Sequence, residues 1–228
     1  MDIVIAGRPV GPSHPAYFIA DIAANHDGSL DRACRLLRLA HEAGAEAAKF
    51  QHFDAARIVS GVGFERLAGK LSHQASRKKS VTEVYQEASV PPEWTPILKE
   101  ECDRVGITFF SSPYDSGAVE ALDEFVPAFK IGSGDIDWLE SLEHVASKGK
   151  PVILGTGAAD IDEVRRAVDT IRAVNPQIIV LQCNTNYTAD ESNFDHLHLR
   201  VISTYQTLWP DLVVGLSDHT SGPAAVLG

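Results

Sequence analysis

Two lysines lie inside predicted β-strands, where a charged side chain needs a partner. Lys49 belongs to the stretch AAKF and Lys130 to the stretch AFKI. An ammonium group is costly to desolvate unless an anion lies beside it. Either lysine alone favours a salt bridge to a nearby carboxylate. Two of them together favour the binding of a phosphate or carboxylate ligand.

Small-residue turns follow three of the predicted strands, at residues 111–113, 132–134 and 155–157. Backbone N–H groups and hydroxyls in such turns converge on phosphate oxygens near helix N-termini. Glycine and serine are also ordinary loop residues, so one such turn means little. Their recurrence at successive strand ends indicates phosphate binding.

Carboxylates and a histidine also stand at strand ends. Asp21 and Asp135 could hydrogen-bond a polyol or transfer a proton, but an aspartate there also caps helices. His219 could bind a divalent metal together with water and substrate oxygens. A lone histidine is more often structural, so its position alone leaves the metal interpretation in the minority.

Seven short apolar runs end at these polar clusters, and each precedes a helix-patterned stretch. Alternating strands and helices predict a parallel sheet, and runs without strict alternation predict that both its faces are covered. We predict an α/β fold, a TIM-type (β/α)8 barrel with about seven strands in this chain, whose chemistry lies at the carboxyl ends of the strands. The predicted strands are residues 17–22, 46–51, 107–110, 128–131, 152–154, 178–181 and 212–216.

Other segments are less regular. Residues 193–209 are weakly helical in pattern. The long connection 52–92 contains Arg66 to Lys79, with five basic residues and no acidic one. Such a connection predicts a lid or partner-binding arm, or equally a solvated surface loop.

Composition excludes several classes of protein. With 20 basic and 31 acidic residues, the net charge of −11 disfavours duplex nucleic acid, although local positive groups can bind a small anion. Cys34, Cys102 and Cys183 are odd in number and unclustered, which argues against a disulfide framework or thiolate zinc site. We find no signal peptide and no apolar run near the ~20 residues of a membrane span, so we expect a cytoplasmic protein without a membrane partner.

Six motifs, in chain order, resemble the barrel of the sialic acid synthase family: FIADIAANHDGSLDRACRLLRLAHEAGAEAAKFQ, FFSSPYD, FKIGSGD, KPVILGTGAA, LQCNTNY and VGLSDHT. The resemblance runs from Tyr17 to the last residue. It implies a homodimeric (β/α)8 barrel that uses a divalent metal, manganese or magnesium. The implied reaction condenses phosphoenolpyruvate with an N-acetylated aminosugar such as N-acetylmannosamine. The product is a nine-carbon 2-keto acid of surface polysaccharide biosynthesis.

By motif position, the resemblance also implies roles for individual residues. Asp21 and Asp135 would be catalytic and, with Tyr187, would face the sugar. His219 would be catalytic as a ligand of the metal, which polarises the sugar aldehyde. The phosphoenolpyruvate site would comprise Lys49, Ser112, Lys130, Ser133, Thr185 and Ser217.

The chain departs from the family pattern at several positions. Asp21 and Asp135 stand where many members have glutamate, Gly155 where some have serine, and Lys79 near an asparagine of N-acetylmannosamine-using members. The family's second metal histidine lies on an eighth strand, in a motif like EKHFT. We therefore expect residues 1–228 to form a single, C-terminally incomplete barrel domain without the antifreeze-like domain that usually follows.

Two other interpretations remain. A non-catalytic truncated paralogue could bind a ligand or partner subunit, because an open barrel exposes sheet edges. A Schiff-base aldolase is disfavoured, since it needs one desolvated lysine with a lowered pKa, whereas two lysines among hydroxyls suit a dianion better.

Overall fold

The computed structural model describes residues 2–63, 79–187 and 190–227. The chain forms two compact units, the first Phe18–Val126 and the second Met1–Tyr17 with Pro127–Gly228. The strands are β1 Ile3–Ile5, β2 Arg8–Val10, β3 Ile19–Asp21, β4 Ala47–His52, β5 Thr108–Pro113, β6 Phe129–Ile131, β7 Val152–Gly155, β8 Ile178–Cys183 and β9 Val213–Ser217. The helices are α1 Leu30–Glu42, α2 Ala55–Ile58, α3 Val81–Ala88, α4 Trp94–Val105, α5 Ser116–Leu122, α6 Leu139–Ala146, α7 Ile161–Val174, α8 Val201–Leu208 and α9 Ala224–Leu227. Short 3-10 helices cover Ser133–Asp135 and Glu191–His196.

The first unit contains a parallel sheet in the order β3-β4-β5. Helix α1 begins where the Ser29 hydroxyl accepts a hydrogen bond from the backbone N–H of Arg32, and it buries Ala33 and Leu37. The register pairs Asp21 with Lys49, so both side chains are carried to the same carboxyl edge of the sheet.

The second unit contains a four-stranded parallel sheet in the order β6-β7-β8-β9. All of Val152–Gly155 is buried, as expected of a strand covered on both faces. Helix α7 begins with a capping box between Asp160 and Glu163, and buries an apolar stripe that includes Val164 and Ile171. Cys183 pairs with Ser217 at the carboxyl edge of this sheet.

The structure corrects the sequence-based prediction in two places. An antiparallel hairpin, β1-β2, precedes the parallel strands and was not predicted. The prediction of one helix over 193–209 is wrong for its first half. A 3-10 helix ends at His196, and His198 then takes a left-handed backbone conformation with φ of 48°, so the α-helix begins only at Val201.

The predicted α/β class with parallel strands is confirmed, since seven parallel strands alternate with helices in the described residues. The predicted division, one incomplete barrel domain over residues 1–228, stays a prediction. Across the described parts of the chain, no helix combines the length and apolar character that a membrane span requires.

Candidate active site

In the first unit, Lys49 meets one of the predicted catalytic carboxylates. Its Nζ donates to Oδ1 of Asp21 over 2.8 Å, and the lysine side chain is 10% exposed against 41% for the aspartate. The buried ammonium group therefore has an anionic partner within the protein. A salt bridge of this kind is the alternative to ligand binding that the sequence left open for each lysine alone. The half-exposed carboxylate is at the same time accessible to solutes at the sheet edge.

His52, a buried histidine that sequence reasoning missed, contacts Ser111, the neighbour of the predicted site residue Ser112 in β5. His52 Nδ1 is 2.7 Å from Ser111 Oγ, and its Nε2 is 2.8 Å from Thr95 Oγ1. These bonds tie the carboxyl ends of β4 and β5 to the first turn of α4. Burial, with a smaller contribution from the nearby His26, lowers the pKa of His52 to about 4.

This lowered pKa predicts that the protein loses stability on mild acidification. Because His52 binds a proton more weakly in the folded chain than in the unfolded chain, its contribution is complete above pH 6.5 and is lost as the pH falls towards 4. The two pKa values correspond to about 3 kcal/mol of unfolding free energy. Urea unfolding of wild type and His52→Gln between pH 7 and 4 measures this contribution to the free energy of unfolding. A pH dependence that is identical in the two proteins would contradict this assignment.

In the second unit, the ammonium group of Lys130 lies against the adjacent strand. Lys130 is 8% exposed, and its Nζ donates to the main-chain oxygen of Ile131 over 2.7 Å. A Cβ atom placed on Gly155 would be 2.9 Å from this Nζ and 3.5 Å from the backbone nitrogen of Ser133. The missing side chain at position 155 is thus what leaves room for the ammonium group.

Ser133 and Thr185 both approach a second glycine, Gly157. Gly157 has a left-handed φ of 52°, and a Cβ there would be 2.5 Å from Ser133 Oγ and 3.1 Å from Thr185 Cγ2. The turns after β6, β7 and β8 therefore pack against one another. This close approach brings an ammonium group and two hydroxyls to one edge of the sheet.

Cys183 lies at the end of β8 and contacts residues at the end of β9. Its Sγ is 4.0 Å from His219 Nδ1. Burial raises the pKa of the Cys183 thiol, but hydrogen bonds with His219 and Ser217 and the charges of His219 and Lys130 outweigh burial and leave the pKa below its ordinary value. Sequence reasoning had used Cys183 only to exclude disulfides and zinc, and no spacing signal distinguishes it.

His219 has the proton arrangement of a metal-binding histidine. Its Nδ1 lies 2.6 Å from the main-chain oxygen of Asn184, which can only accept, so Nδ1 carries a proton. When the ring is neutral, Nε2 then holds the lone pair that a metal would bind. The described residues contain no group of three or more His, Cys, Asp or Glu side chains that could hold a metal ion. The divalent metal at His219 therefore stays a prediction.

Asp135 and Tyr187 are the two residues of this unit that the family resemblance assigns to the sugar. Burial and the charge of Asp137 raise the pKa of Asp135, against the opposing effect of Lys130. A carboxyl group with a raised pKa is suited to hold a proton. The Tyr187 ring lies edge-on to His219 at 4.5 Å between centroids and is 65% exposed.

The predicted site residues are divided between the two units. Asp21 contacts Lys49 and lies in the same sheet as Ser112. The second unit gathers Lys130, Ser133, Asp135, Thr185, Tyr187, Ser217 and His219. Lys79 instead forms an exposed ion pair with Glu87, 2.7 Å from its Oε2, while 66–78 of the basic connection lies outside the described residues.

Comparison with known proteins gives the family. Residues 36–228 match the model of the NeuB family. The chain is 37% identical over 96% of its length to the human N-acetylneuraminate-9-phosphate synthase, covering 59% of that protein. It is 36% identical to the Bacillus subtilis spore coat polysaccharide biosynthesis protein SpsE, over 96% of this chain and 57% of the relative. The chain thus spans about three-fifths of the length of these relatives.

A solved structure is also similar. The N-acetylneuraminic acid synthetase of Leptospira borgpetersenii serovar Hardjo-bovis, in complex with citrate, aligns with a TM-score of 0.83 at 28% identity, over 99% of this chain and 74% of that chain. The predicted TIM-type barrel fold class is confirmed by this likeness, with seven of its strands in the described residues. The chain belongs to the NeuB family, the family of sialic acid synthases that its motifs resemble.

Proposed function

We propose that this chain is the barrel part of a transferase that condenses phosphoenolpyruvate with an N-acetylated aminosugar, such as N-acetylmannosamine, to a nine-carbon sialic-acid-type 2-keto acid for surface polysaccharides. One observation carries the proposal. The buried ammonium group of Lys130 lies among the hydroxyl-bearing turns after β6, β7 and β8 in a chain of the NeuB family. The names of the relatives, which are synthases, support the same reaction class.

Phosphoenolpyruvate would be held by opposite charge and by hydroxyls. Its phosphate and carboxylate are both anionic, and charge-assisted hydrogen bonds to ammonium groups are stronger than neutral ones. In the proposal, Lys130 and Lys49 neutralise one ligand molecule, while Ser112, Ser133, Thr185 and Ser217 donate hydroxyl hydrogen bonds to it. The rigid strand ends fix the ligand, which converts a bimolecular encounter into an oriented one.

The proposed chemistry forms one carbon–carbon bond and breaks one carbon–oxygen bond. Carbon 3 of phosphoenolpyruvate attacks the aldehyde carbon of the sugar, and the aldehyde oxygen becomes a hydroxyl by taking a proton. Carbon 2 then carries cationic character, and a water molecule adds there with loss of a proton. Cleavage of the bond between carbon 2 and the phosphate oxygen then releases phosphate, which takes the proton of the new hydroxyl as the keto group forms.

The carboxylates supply proton handling in this proposal. The pKa of Asp135 is raised because the carboxyl group is partly buried near the charge of Asp137, so it can deliver the proton to the aldehyde oxygen. Asp21 is ion-paired with Lys49 and half exposed, and it would orient the sugar hydroxyls while keeping the lysine in place. The divalent cation, manganese or magnesium, the homodimer and the cytoplasmic location stay predictions.

Phosphate release tests the proposal directly. The chain is incubated with phosphoenolpyruvate, manganese and a panel of N-acetylated hexosamines, and free phosphate is measured together with the thermal midpoint. Release that depends on one sugar supports the synthase. A raised thermal midpoint without any turnover would instead favour the non-catalytic, ligand-binding alternative. Neither turnover nor a shift in midpoint would contradict both.

Filling the space at Gly155 is expected to weaken phosphoenolpyruvate binding. The new methyl group of Gly155→Ala would stand 2.9 Å from the present position of Lys130 Nζ and displace it. We expect Kd to rise about tenfold, equivalent to about 1.4 kcal/mol, by calorimetric titration. The control is Gly61→Ala in the first unit, away from the predicted site residues, where a Cβ would be 3.3 Å from Thr82 Oγ1. Equal affinity in both variants would contradict the assigned position of the ammonium group.

A further inference from the structure

Three asparagines shape the loop that follows β8, here called the 184–187 loop. The side-chain oxygen of Asn184 accepts the backbone N–H of Asn186 over 2.9 Å. The side-chain amide of Asn193 donates to the main-chain oxygen of Asn186 over 3.0 Å. The two side chains therefore hold Asn186 from both its backbone groups, and the loop conformation between them is determined by side chains rather than by a sheet or helix.

Asn193 holds this loop from a fixed platform. It is fully buried within the 3-10 helix Glu191–His196, whose first turn is capped by the Asp190 side chain. Its backbone N–H also donates to the Asp190 carbonyl over 3.0 Å. A buried polar side chain destabilises the fold unless its hydrogen bonds are made. Loss of the bond from Asn193 to the loop would therefore lower the free energy of unfolding.

The loop in turn sets the position of two predicted site residues. The main-chain oxygen of Asn184 accepts the Nδ1 proton of His219 over 2.6 Å, and the ring of Tyr187 lies against the His219 ring. Thr185 lies between these loop residues and approaches Gly157. A change in the loop backbone would therefore move a histidine, a tyrosine and a hydroxyl together.

We propose that Asn193 is a positioning residue, which holds the 184–187 loop in the conformation where the carbonyl of Asn184 keeps the Nδ1 proton of His219. Its effect on catalysis rests on the proposed function, whereas its effect on His219 does not. Asn193 contacts the loop through Asn186, so its effect on the reaction is indirect. The three-residue relay of Asn193, Asn186 and Asn184 is the physical connection.

Asn193→Asp is the decisive variant. It keeps the size of the side chain but replaces the donating amide with a carboxylate oxygen, which would face the Asn186 carbonyl as a second acceptor. We expect kcat for the condensation to fall at least tenfold with a smaller change in KM for phosphoenolpyruvate. Asn193→Ser, which removes the amide without adding a charge, is expected to show the same pattern and serves where the aspartate variant does not fold.

The chain offers a closely matched control in Asn175. This residue is 3% exposed, donates its amide to the Lys150 carbonyl over 2.7 Å and accepts the Gln177 N–H over 3.0 Å. It makes the same kinds of bonds just before β8, at the amino end of the same strand. Asn175→Asp and Asn175→Ser are expected to lower the thermal midpoint as much as the Asn193 variants, with kcat unchanged.

Nitrogen-15 NMR of the histidine rings gives a readout that needs no turnover. The His219 signals are identified by their loss in His219→Gln. Wild type and Asn175→Asp are expected to show the Nδ1-protonated tautomer, and the Asn193 variants a mixture with the Nε2-protonated form. An unchanged tautomer in the Asn193 variants, or a kcat loss equal to that of the Asn175 variants, would overturn the proposal. Absence of condensation by wild type would contradict the proposed function alone and leave the tautomer test standing.

Discussion

Replacing Lys130 with methionine is expected to weaken phosphoenolpyruvate binding by at least about 30-fold, because removal of one partner from a desolvated charge pair costs about 2 kcal/mol or more. Lys130 is 8% exposed and surrounded by the turns after β6 and β7, so water does not easily replace its charge. Methionine preserves the length of the side chain. Calorimetric titration of wild type and Lys130→Met with phosphoenolpyruvate gives the ratio of Kd values.

The control for this prediction is Lys150→Met. Lys150 stands before β7, at its amino end, and its Nζ lies 5.9 Å from the centroid of the Phe129 ring. Lys150 carries the same charge as Lys130 but lies at the amino end of β7, away from the carboxyl ends where the ligand is proposed to bind. We expect its affinity for phosphoenolpyruvate to equal that of wild type. If Lys130→Met also bound the ligand as tightly as wild type, the assignment of the anion site to the β6 end would be wrong.

Asp21→Asn is the second change with a large expected effect. It keeps the shape of the side chain but removes the charge that pairs with Lys49 at 2.8 Å. We expect kcat/KM for the condensation to fall about 100-fold, because the sugar hydroxyls and Lys49 lose the carboxylate that positions them. Because the carboxylate is 41% exposed, the free energy of unfolding should change by about 1 kcal/mol or less.

Two further variants make this test specific. Asp21→Glu restores the charge in the residue that many family members carry, and we expect it to recover activity to within about tenfold of wild type, or 1.4 kcal/mol. Asp54→Asn removes another exposed carboxylate of the same unit but still caps α2, so it should leave kcat/KM unchanged. Full activity in Asp21→Asn would exclude a catalytic role for this carboxylate.

The parallel strands could be predicted from the sequence because burial on both faces requires continuous apolar runs. The strand over Val152–Gly155 is entirely buried, and its run PVILG is correspondingly unbroken. The lysines were recognisable for the same reason, since a charge inside such a run is a visible exception. Their position at the strand ends followed from the alternation of strands and helices alone.

The N-terminal hairpin lacked a recognisable turn signal. Its turn residues, Ala6 and Gly7, have φ of 48° and 81°, a conformation for which Asn-Gly or Asp-Gly is the usual sequence. Alanine in that position gives no hint of a turn. The interruption at His198 could not be predicted either. The apolar pattern of 193–209 continues through this residue, and its left-handed backbone conformation has no periodicity signal.

The side-chain networks around the site were also beyond sequence reasoning. His52 meets Thr95 across 43 positions, and Asn193 bonds to Asn186 within an irregular loop. Neither contact follows a helical or strand period, so neither leaves a pattern in the residue order. The pairing of Asp21 with Lys49 was anticipated only as the general alternative for a strand lysine, and the sheet register supplied the partner.

The central claim of this account is that Lys130 neutralises phosphoenolpyruvate at the carboxyl ends of β6 and β7. A crystal structure of the chain grown with phosphoenolpyruvate measures this directly. We predict a ligand molecule with an oxygen within about 3 Å of the Lys130 Nζ, the range of charge-assisted hydrogen bonds. A bound ligand that leaves Lys130 in contact with protein groups alone would contradict this claim.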